Sequence, residues 1–302
     1  MRLGVLDVGS NTVHLLVMDA RPGGAPVPAA SHKLELRLAE LVDPDGSLSR
    51  EGAEALVDMV AQCARVAEDT GCAELLAFVT SAVREATNGE VVLDAVAERT
   101  GVRLRVLSGA DEARQTFLAA RRWFGWSAGT LVVFDIGGGS LEIAAGRDEN
   151  PQAAVSVPVG AGRMHRRFGG DLAGMHRYVR AEIGAVVGDV LRCAPFDRAV
   201  ATSKTFRSLA RIAGAAPLAD GPYVARRLVR ADVSAWVGRL AELSPAKRAA
   251  LPGVSAGRSA QLLAGAVVAE AVMDLAVVDE LDLCPWALRE GIMLHALDRL
   301  SR

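Results

Sequence analysis

The stretch that most constrains this chain runs from Leu131 to Ala145 and reads LVVFDIGGGSLEIAA. An apolar, β-branched run ends at Asp135; Gly137, Gly138, Gly139 and Ser140 follow, and a second alternating run carries Glu142. That pattern predicts a strand, a tight turn and a returning strand. Consecutive glycines let backbone N–H groups approach a ligand closely, and a concave row of such donors binds anionic oxygens. Donors beside two carboxylates suit a phosphate with a hard divalent cation. An ordinary glycine-rich hairpin with Asp135 as a turn residue explains the same letters. Leu3 to Asp19, LGVLDVGSNTVHLLVMD, repeats the plan: laying Asp7 on Asp135 puts Gly9 on Gly137, with Ser10, Asn11 and Thr12 after it. Two such units predict two related α/β domains facing each other across a cleft.

A chain of 302 residues, 51% of them hydrophobic, holds two ordinary domains with real cores. A formal charge of -2 argues against a general nucleic-acid binder. The charge is unevenly spread: Gly160 to Arg230 carries thirteen Lys and Arg against five acids, a net +8. Solvated helix faces and a polyanion-binding surface explain that excess equally well. Cys63, Cys72, Cys193 and Cys284 lack C-x-x-C spacing and read as small hydrophobes in a reduced cytoplasm. No signal peptide is read at the start, and no apolar run reaches the ~18 residues of a membrane span.

Along the chain, Pro26 and Pro28 mark the entry to an extended Val27–Ala39 stretch, and Ser49 caps a helix ending at Gly71. A strand over Leu75–Val79 leads into TSAVREATN, where Arg84 reads as an ordinary helix-surface charge. Ser108 and Asp111 form a capping-box-like pair. Glu112, unneeded for that cap, either complements the helix dipole or serves in catalysis. A domain boundary is expected near Gly125. Further on come a strand (Val155–Val159), the turn Gly160-Ala161-Gly162, a helix over Asp171–Leu191 and a strand at Arg198–Ala201. Ser203 reads as an N-cap and Lys204 as a solvated charge, although that helix start could also hold an anion. Val254–Val278 reads as one long apolar helix carrying Arg258, and a C-terminal helix follows Pro285.

Six ordered motifs, LDVGSNTVHLLV, TSAVREATN, SGADEAR, FDIGGGSLEI, GRSAQLLAG and ALREGI, make the sequence resemble the exopolyphosphatase and guanosine pentaphosphate phosphohydrolase (Ppx/GppA) family of the actin, hexokinase and Hsp70-like superfamily. Leu141 stands where the family usually has Thr, and Asp111 replaces a frequent Glu. The resemblance implies a short member with two ribonuclease-H-like α/β domains, 1–124 and 125–302, the last helix (about 286–302) packing back on the first, and an interdomain active site. It places Mg²⁺, or Mn²⁺, on Asp7, Asp135 and Glu142. Ser10, Asn11, Gly138, Gly139 and Ser140 would cradle the terminal phosphate, Arg84 would offset its charge, and Glu112 would be the catalytic base. Arg163, Arg166, Lys204 and Arg258 would hold the rest of a polyanion.

The expected activity is release of terminal orthophosphate from inorganic polyphosphate, with short chains preferred. Guanosine pentaphosphate, an alarmone of the stringent response, presents the same end group. An ATP-binding kinase or actin-like ATPase is disfavoured because Arg258 suits an anion better than an adenine. A non-catalytic polyphosphate or alarmone sensor is disfavoured because every expected acid is present. The resemblance also implies a cytoplasmic homodimer with no nucleic-acid or membrane partner.

Overall fold

The computed structural model describes residues 1–19, 21 and 27–300, so the expected turn residue Pro26 lies outside the described residues. The chain divides into two compact units: Met1–Gln115 joined by the C-terminal helix from Leu288, and Thr116–Ala287.

In the first unit the strands are β1 (Arg2–Val8), β2 (Thr12–Asp19), β3 (Val27–Glu35), β4 (Glu74–Val79) and β5 (Arg105–Val106). They form one sheet in the order β3-β2-β1-β4-β5, with β1, β2 and β3 antiparallel neighbours and β4 parallel to β1 and β5. Extended backbone ends at Glu35, short of the expected Ala39: Arg37 adopts a left-handed conformation (φ 49°) and a 3-10 turn follows. The helices are α1 (Arg50–Asp69), α2 (Ser81–Arg84), α3 (Gly89–Thr100) and α4 (Gly109–Phe124), which runs across the division between the units. Ser49 caps α1 by accepting from Gly52 N–H.

Period-two alternation assigns the faces of this sheet. Leu6, Val8, Val13 and Leu15 pack with Leu56, Val60 and Val96 of α1 and α3, while Leu3, Val5, Leu16 and Met18 pack on the other face with Ile292, Met293 and Leu297. Asp7 and His14 share the alternation of Leu3, Val5 and Leu16, so both belong to that second face, and they stand opposite each other in register.

The second unit contains β6 (Leu131–Ile136), β7 (Leu141–Gly146), β8 (Ala153–Val157), β9 (Arg198–Ala201), β10 (Arg227–Val229) and β11 (Glu280–Leu283). Its sheet order is β10-β11-β9-β6-β7-β8. An antiparallel β6-β7-β8 meander with β9 parallel to β6 and β11 parallel to β9 repeats the first sheet's plan, and β10 is added at the edge. The helices are α5 (Ala161–Phe168), α6 (Leu172–Leu191), α7 (Lys204–Ile212), α8 (Arg230–Glu242), α9 (Pro245–Ala249), α10 (Ala256–Ser259) and α11 (Leu262–Leu275), and α12 (Leu288–Leu300) returns to the first unit.

Three expectations change. The boundary expected at Phe124/Gly125 lies inside the second unit, because Trp123 stacks on Tyr223 and meets Trp286 edge-on, and Arg122 pairs with Glu149. The single helix expected over Val254–Val278 is broken at Ala260–Gln261 into α10 and α11, and its last residues turn into β11. The apolar faces of α11 pack inside the unit, where Ala264, Val267, Val268 and Val272 are buried in the main core. Part of the +8 stretch is answered by acids that follow it in sequence: Arg180 and Arg230 each reach Asp274 at 2.7 Å, Arg198 reaches Asp282 at 2.6 Å, and Arg227 reaches Glu280 at 3.0 Å. Arg226 is buried and donates to the carbonyls of Ala216, Pro217, Gly221 and Val224.

Candidate active site

The two Asp-x-Gly corners have the same backbone construction. Gly137 N–H donates to Ser140 C=O at 2.9 Å, and Gly9 N–H donates to Thr12 C=O at 3.0 Å. In the second unit the corner is completed by the start of α5. Gly160 N–H donates to Gly139 C=O (3.1 Å), Ala161 N–H to Gly137 C=O (3.0 Å) and Arg163 N–H to Gly138 C=O (2.9 Å). All three glycine carbonyls are therefore turned toward α5. In a planar trans peptide the following N–H points the opposite way, so the N–H groups of Gly138, Gly139 and Ser140 face outward from α5 as a row of donors. The Arg163 side chain reinforces the turn, its Nε donating to Gly139 C=O at 2.7 Å.

Asp135 and Glu142 stand directly opposite each other on β6 and β7. The same alternation that buries Phe134, Ile136, Leu141 and Ile143 in the core puts both carboxylates on the other face of the sheet. Each is held from a further strand or its end: Thr202 Oγ1, just past β9, donates to Asp135, and Ser156 Oγ on β8 donates to Glu142 Oε1 at 2.9 Å. Glu142 Oε2 lies on the side of Gly137, 4.0 Å from where a Cβ would stand. Two carboxylates presented in register form a hard oxygen donor set that fits Mg²⁺ or Mn²⁺. Among the described residues, no three His, Cys, Asp or Glu side chains gather as ligands within either unit. Asp7 belongs to the first unit, whereas Asp135 and Glu142 belong to the second.

In the first unit the expected base is built into a helix start. Ser108 Oγ accepts from Asp111 N–H (3.1 Å) and donates to Asp111 Oδ2 (2.7 Å), so the cap is made, and that hydrogen bond holds the Asp111 carboxyl below its ordinary pKa. Glu112, the next residue, is 7% exposed. Arg84, at the end of α2, donates from Nη1 to Glu112 Oε1 and at 2.6 Å to Leu107 C=O. The reading of Arg84 as a surface charge is corrected: its side chain is 21% exposed and bound to the residue expected to be the base.

Ser10 Oγ lies 3.1 Å from Ser81 Oγ, and Asn11 C=O accepts from both Leu36 and Arg37 N–H, which ties this corner to the ends of β3 and β4. Asp7 Oδ2 accepts from Arg289 Nη1 at 3.0 Å. Burial pushes the Asp7 carboxyl above its ordinary pKa, with Arg289 acting in the opposite direction. His14 is driven down to about 3, chiefly by burial, then by the charges of Arg289 and Lys33, and its Nε2 lies 2.7 Å from Ser31 Oγ. A neutral buried imidazole makes the unfolded chain, titrating near 6.5, the better proton acceptor, so acid favours unfolding below that pH. Between pH 6.5 and 5 this one group should remove at most about 1.6 kcal/mol of stability, less where solvent screens the partly buried ring. Urea titrations at the two pH values should show that loss in the wild type and a smaller one in His14→Gln.

Of the other expected anion ligands, Ser203 is the N-cap of α7, accepting from Phe206 N–H. Lys204 opens α7, Arg166 lies on α5 and Arg258 on α10, and with Arg163 each has interaction partners within the protein. Thr202, Ser156 and Arg289 are not among the site residues expected from the sequence, and Gly160 was expected only as part of a turn. Thr202 had a usable signal: Thr80 and Thr202 each directly follow the strand parallel to an Asp-x-Gly strand, and their N–H groups donate to Val8 and Phe134 C=O.

Two sheets sharing one strand plan, each with an Asp-x-Gly corner at its centre, define an actin-like two-domain α/β protein. An exopolyphosphatase structure from Cytophaga hutchinsonii matches with a TM-score of 0.86 at 23% identity, covering 99% of this chain and 98% of that one. An Aquifex aeolicus Ppx/GppA family member matches with 0.83 at 21% identity, covering 100% and 99%. The chain belongs to the Ppx/GppA phosphatase family, whose model matches residues 16–300. Proteins named Exopolyphosphatase 1 from Mycobacterium tuberculosis and Mycobacterium leprae are each 50% identical to it over 305 residues, covering 99% of this chain and 89% and 90% of theirs. Among the described residues no helix is long and apolar enough to cross a membrane.

Proposed function

We propose that the protein is an exopolyphosphatase that hydrolyses the terminal phosphoanhydride of inorganic polyphosphate and releases orthophosphate. The observation that carries this reading is the outward row of Gly138, Gly139 and Ser140 N–H donors beside the Asp135–Glu142 carboxylate pair. The mycobacterial relatives' shared name supports it.

Phosphoryl transfer spreads charge over the transferred group, so catalysis rests on positioning and electrostatic stabilisation. Gly138, Gly139 and Ser140 orient the terminal phosphate, and Ser10 and Asn11 are the first unit's candidates for the same role. Asp135 and Glu142 would hold a divalent cation, Mg²⁺ or Mn²⁺, with Asp7 the first unit's candidate ligand, and the ion would supply neutralisation of phosphate charge. Glu112 takes the proton of the attacking water, and Arg84 fixes the direction of that carboxylate. Arg163, Arg166, Lys204 and Arg258 accompany the chain beyond its end group.

Orthophosphate release should be measured with Mg²⁺ on short polyphosphate, long polyphosphate, guanosine pentaphosphate and ATP. Polyphosphate, short chains above long, is expected to turn over at least about tenfold faster than either nucleotide, a ΔΔG‡ of about 1.4 kcal/mol. Faster turnover of guanosine pentaphosphate would reassign the substrate. Binding of polyphosphate or the alarmone without turnover would make the protein a sensor.

A further inference from the structure

The sixth motif, ALREGI, takes no part in the reading above, yet it carries the Arg289 that binds Asp7. Arg289 is the second residue of α12. A cation in the first turn of a helix opposes the helix dipole and the unpaired N–H groups there, so helix formation alone does not select Arg at this position. The helix is fixed tightly: a Cβ on the neighbouring Gly291 would stand 1.9 Å from Gln115 C=O, and Ile292, Met293 and Leu297 are buried against Leu3, Val5 and Phe78. The Arg289 side chain is 24% exposed and that of Asp7 16%. Arg289 Nε is buried and, among the described residues, has no hydrogen-bond partner. The geometry of the guanidinium is therefore anchored on the Asp7 carboxylate.

We propose that Arg289 is a positioning residue for the reaction: it is the built-in counter-ion of Asp7 and sets how strongly this corner attracts a divalent cation. The inference rests on the reading of Asp7 as a cation-facing carboxylate. With Arg289 at 3.0 Å, Asp7 is already neutralised when a cation arrives, and a second positive charge meets the repulsion of the first. The pair keeps a buried carboxylate compatible with the fold when no cation is bound, and it keeps cation affinity low enough for phosphate product and metal to leave together.

The test compares Mn²⁺ binding, followed by the electron paramagnetic resonance of free Mn²⁺, and the Mn²⁺-induced rise in melting temperature for wild type, Arg289→Gln, Arg289→Lys and Asp7→Asn. Arg289→Gln keeps a hydrogen bond to Asp7 and removes the charge. It is expected to bind Mn²⁺ about tenfold more tightly and to gain more from Mn²⁺ in melting temperature. Arg289→Lys, with a weaker pair, should fall between the two. A purely structural Arg289 would lower the melting temperature and leave Mn²⁺ affinity unchanged, which overturns the inference. If Arg289→Gln does not fold, Arg289→Lys decides on its own: affinity equal to wild type overturns the proposal, and tighter binding upholds it. Asp7→Asn separates the two levels. Weaker Mn²⁺ binding there with no effect at Arg289 removes only this inference, whereas unchanged binding in Asp7→Asn removes the cation-facing reading of Asp7 as well.

Discussion

Glu112→Gln should retain the fold and polyphosphate binding while releasing orthophosphate about a hundred- to ten-thousandfold more slowly, the range expected for loss of a general base. The amide matches the carboxylate in size and still accepts a hydrogen bond from Arg84, but it cannot take a proton from water. Its stability effect has a separate cause. Arg84 and Glu112 are both largely withdrawn from solvent, so neutralising one partner leaves the other charge poorly compensated, at a cost of about 1–3 kcal/mol. Arg84→Met tests whether that structural loss is the whole story. Removing Arg84 takes one partner from the Glu112 carboxylate without deleting the carboxylate, so this variant should lose activity less completely and show an altered pH profile. Glu112→Asp, a base with shorter reach, should lie between wild type and Glu112→Gln. If Glu112→Gln turns over polyphosphate near the wild-type rate, the base lies elsewhere. If Arg84→Met is as inactive as Glu112→Gln with an unchanged pH profile, Glu112 serves Arg84 and not water.

How much of this was legible depended on how local the determining interactions are. Ser49, Ser108 and Ser203 bond to N–H groups or carboxylates three residues away, and each was readable as a cap. The correspondence of Asp7 with Asp135 and Gly9 with Gly137 was readable because both corners are built within a few residues, and the sheets repeat it in their strand order. Interactions between distant segments were not readable. The net +8 of Gly160–Arg230 looked like a surface because its answering acids, Asp274, Glu280 and Asp282, come later in the chain. The short strands β10, at the sheet edge, and β11, beside it, are held by pairing and carry no strong alternation. The break between α10 and α11 was hidden because the letters on both sides favour helix. Arg289 and Thr202 were visible as letters, but nothing near them in sequence names Asp7 or Asp135 as their partner.

Gly160→Ala should be the most damaging single methyl group that can be added to the second unit's site. The backbone at Gly160 is ordinary (φ -61°, ψ 152°), so any residue could adopt it and the objection is steric alone. A Cβ there would stand 2.3 Å from Ser140 N, 2.4 Å from Gly139 C and 2.5 Å from Gly138 C. All three atoms are backbone, and the turn cannot slide away while the N–H groups of Gly160, Ala161 and Arg163 hold its carbonyls. The methyl must push α5 off the turn, stretching those three hydrogen bonds and rotating the peptide planes that aim the Gly138, Gly139 and Ser140 N–H groups outward. Overpacking and lost hydrogen bonds together should cost about 2–4 kcal/mol in urea unfolding, and phosphate release should fall at least about a hundredfold as the donors leave their places. Gly184→Ala is the matched control: it is an exposed glycine inside α6 with open space around a Cβ, and there the same methyl should stabilise by about 0.5–1 kcal/mol and leave activity unchanged. Wild-type stability with lost turnover in Gly160→Ala would mean that α5 shifts at little cost and only the donor geometry is affected. Wild-type turnover would mean that the terminal phosphate is held by something other than this row of N–H groups, and the glycine turn would then be a structural corner alone.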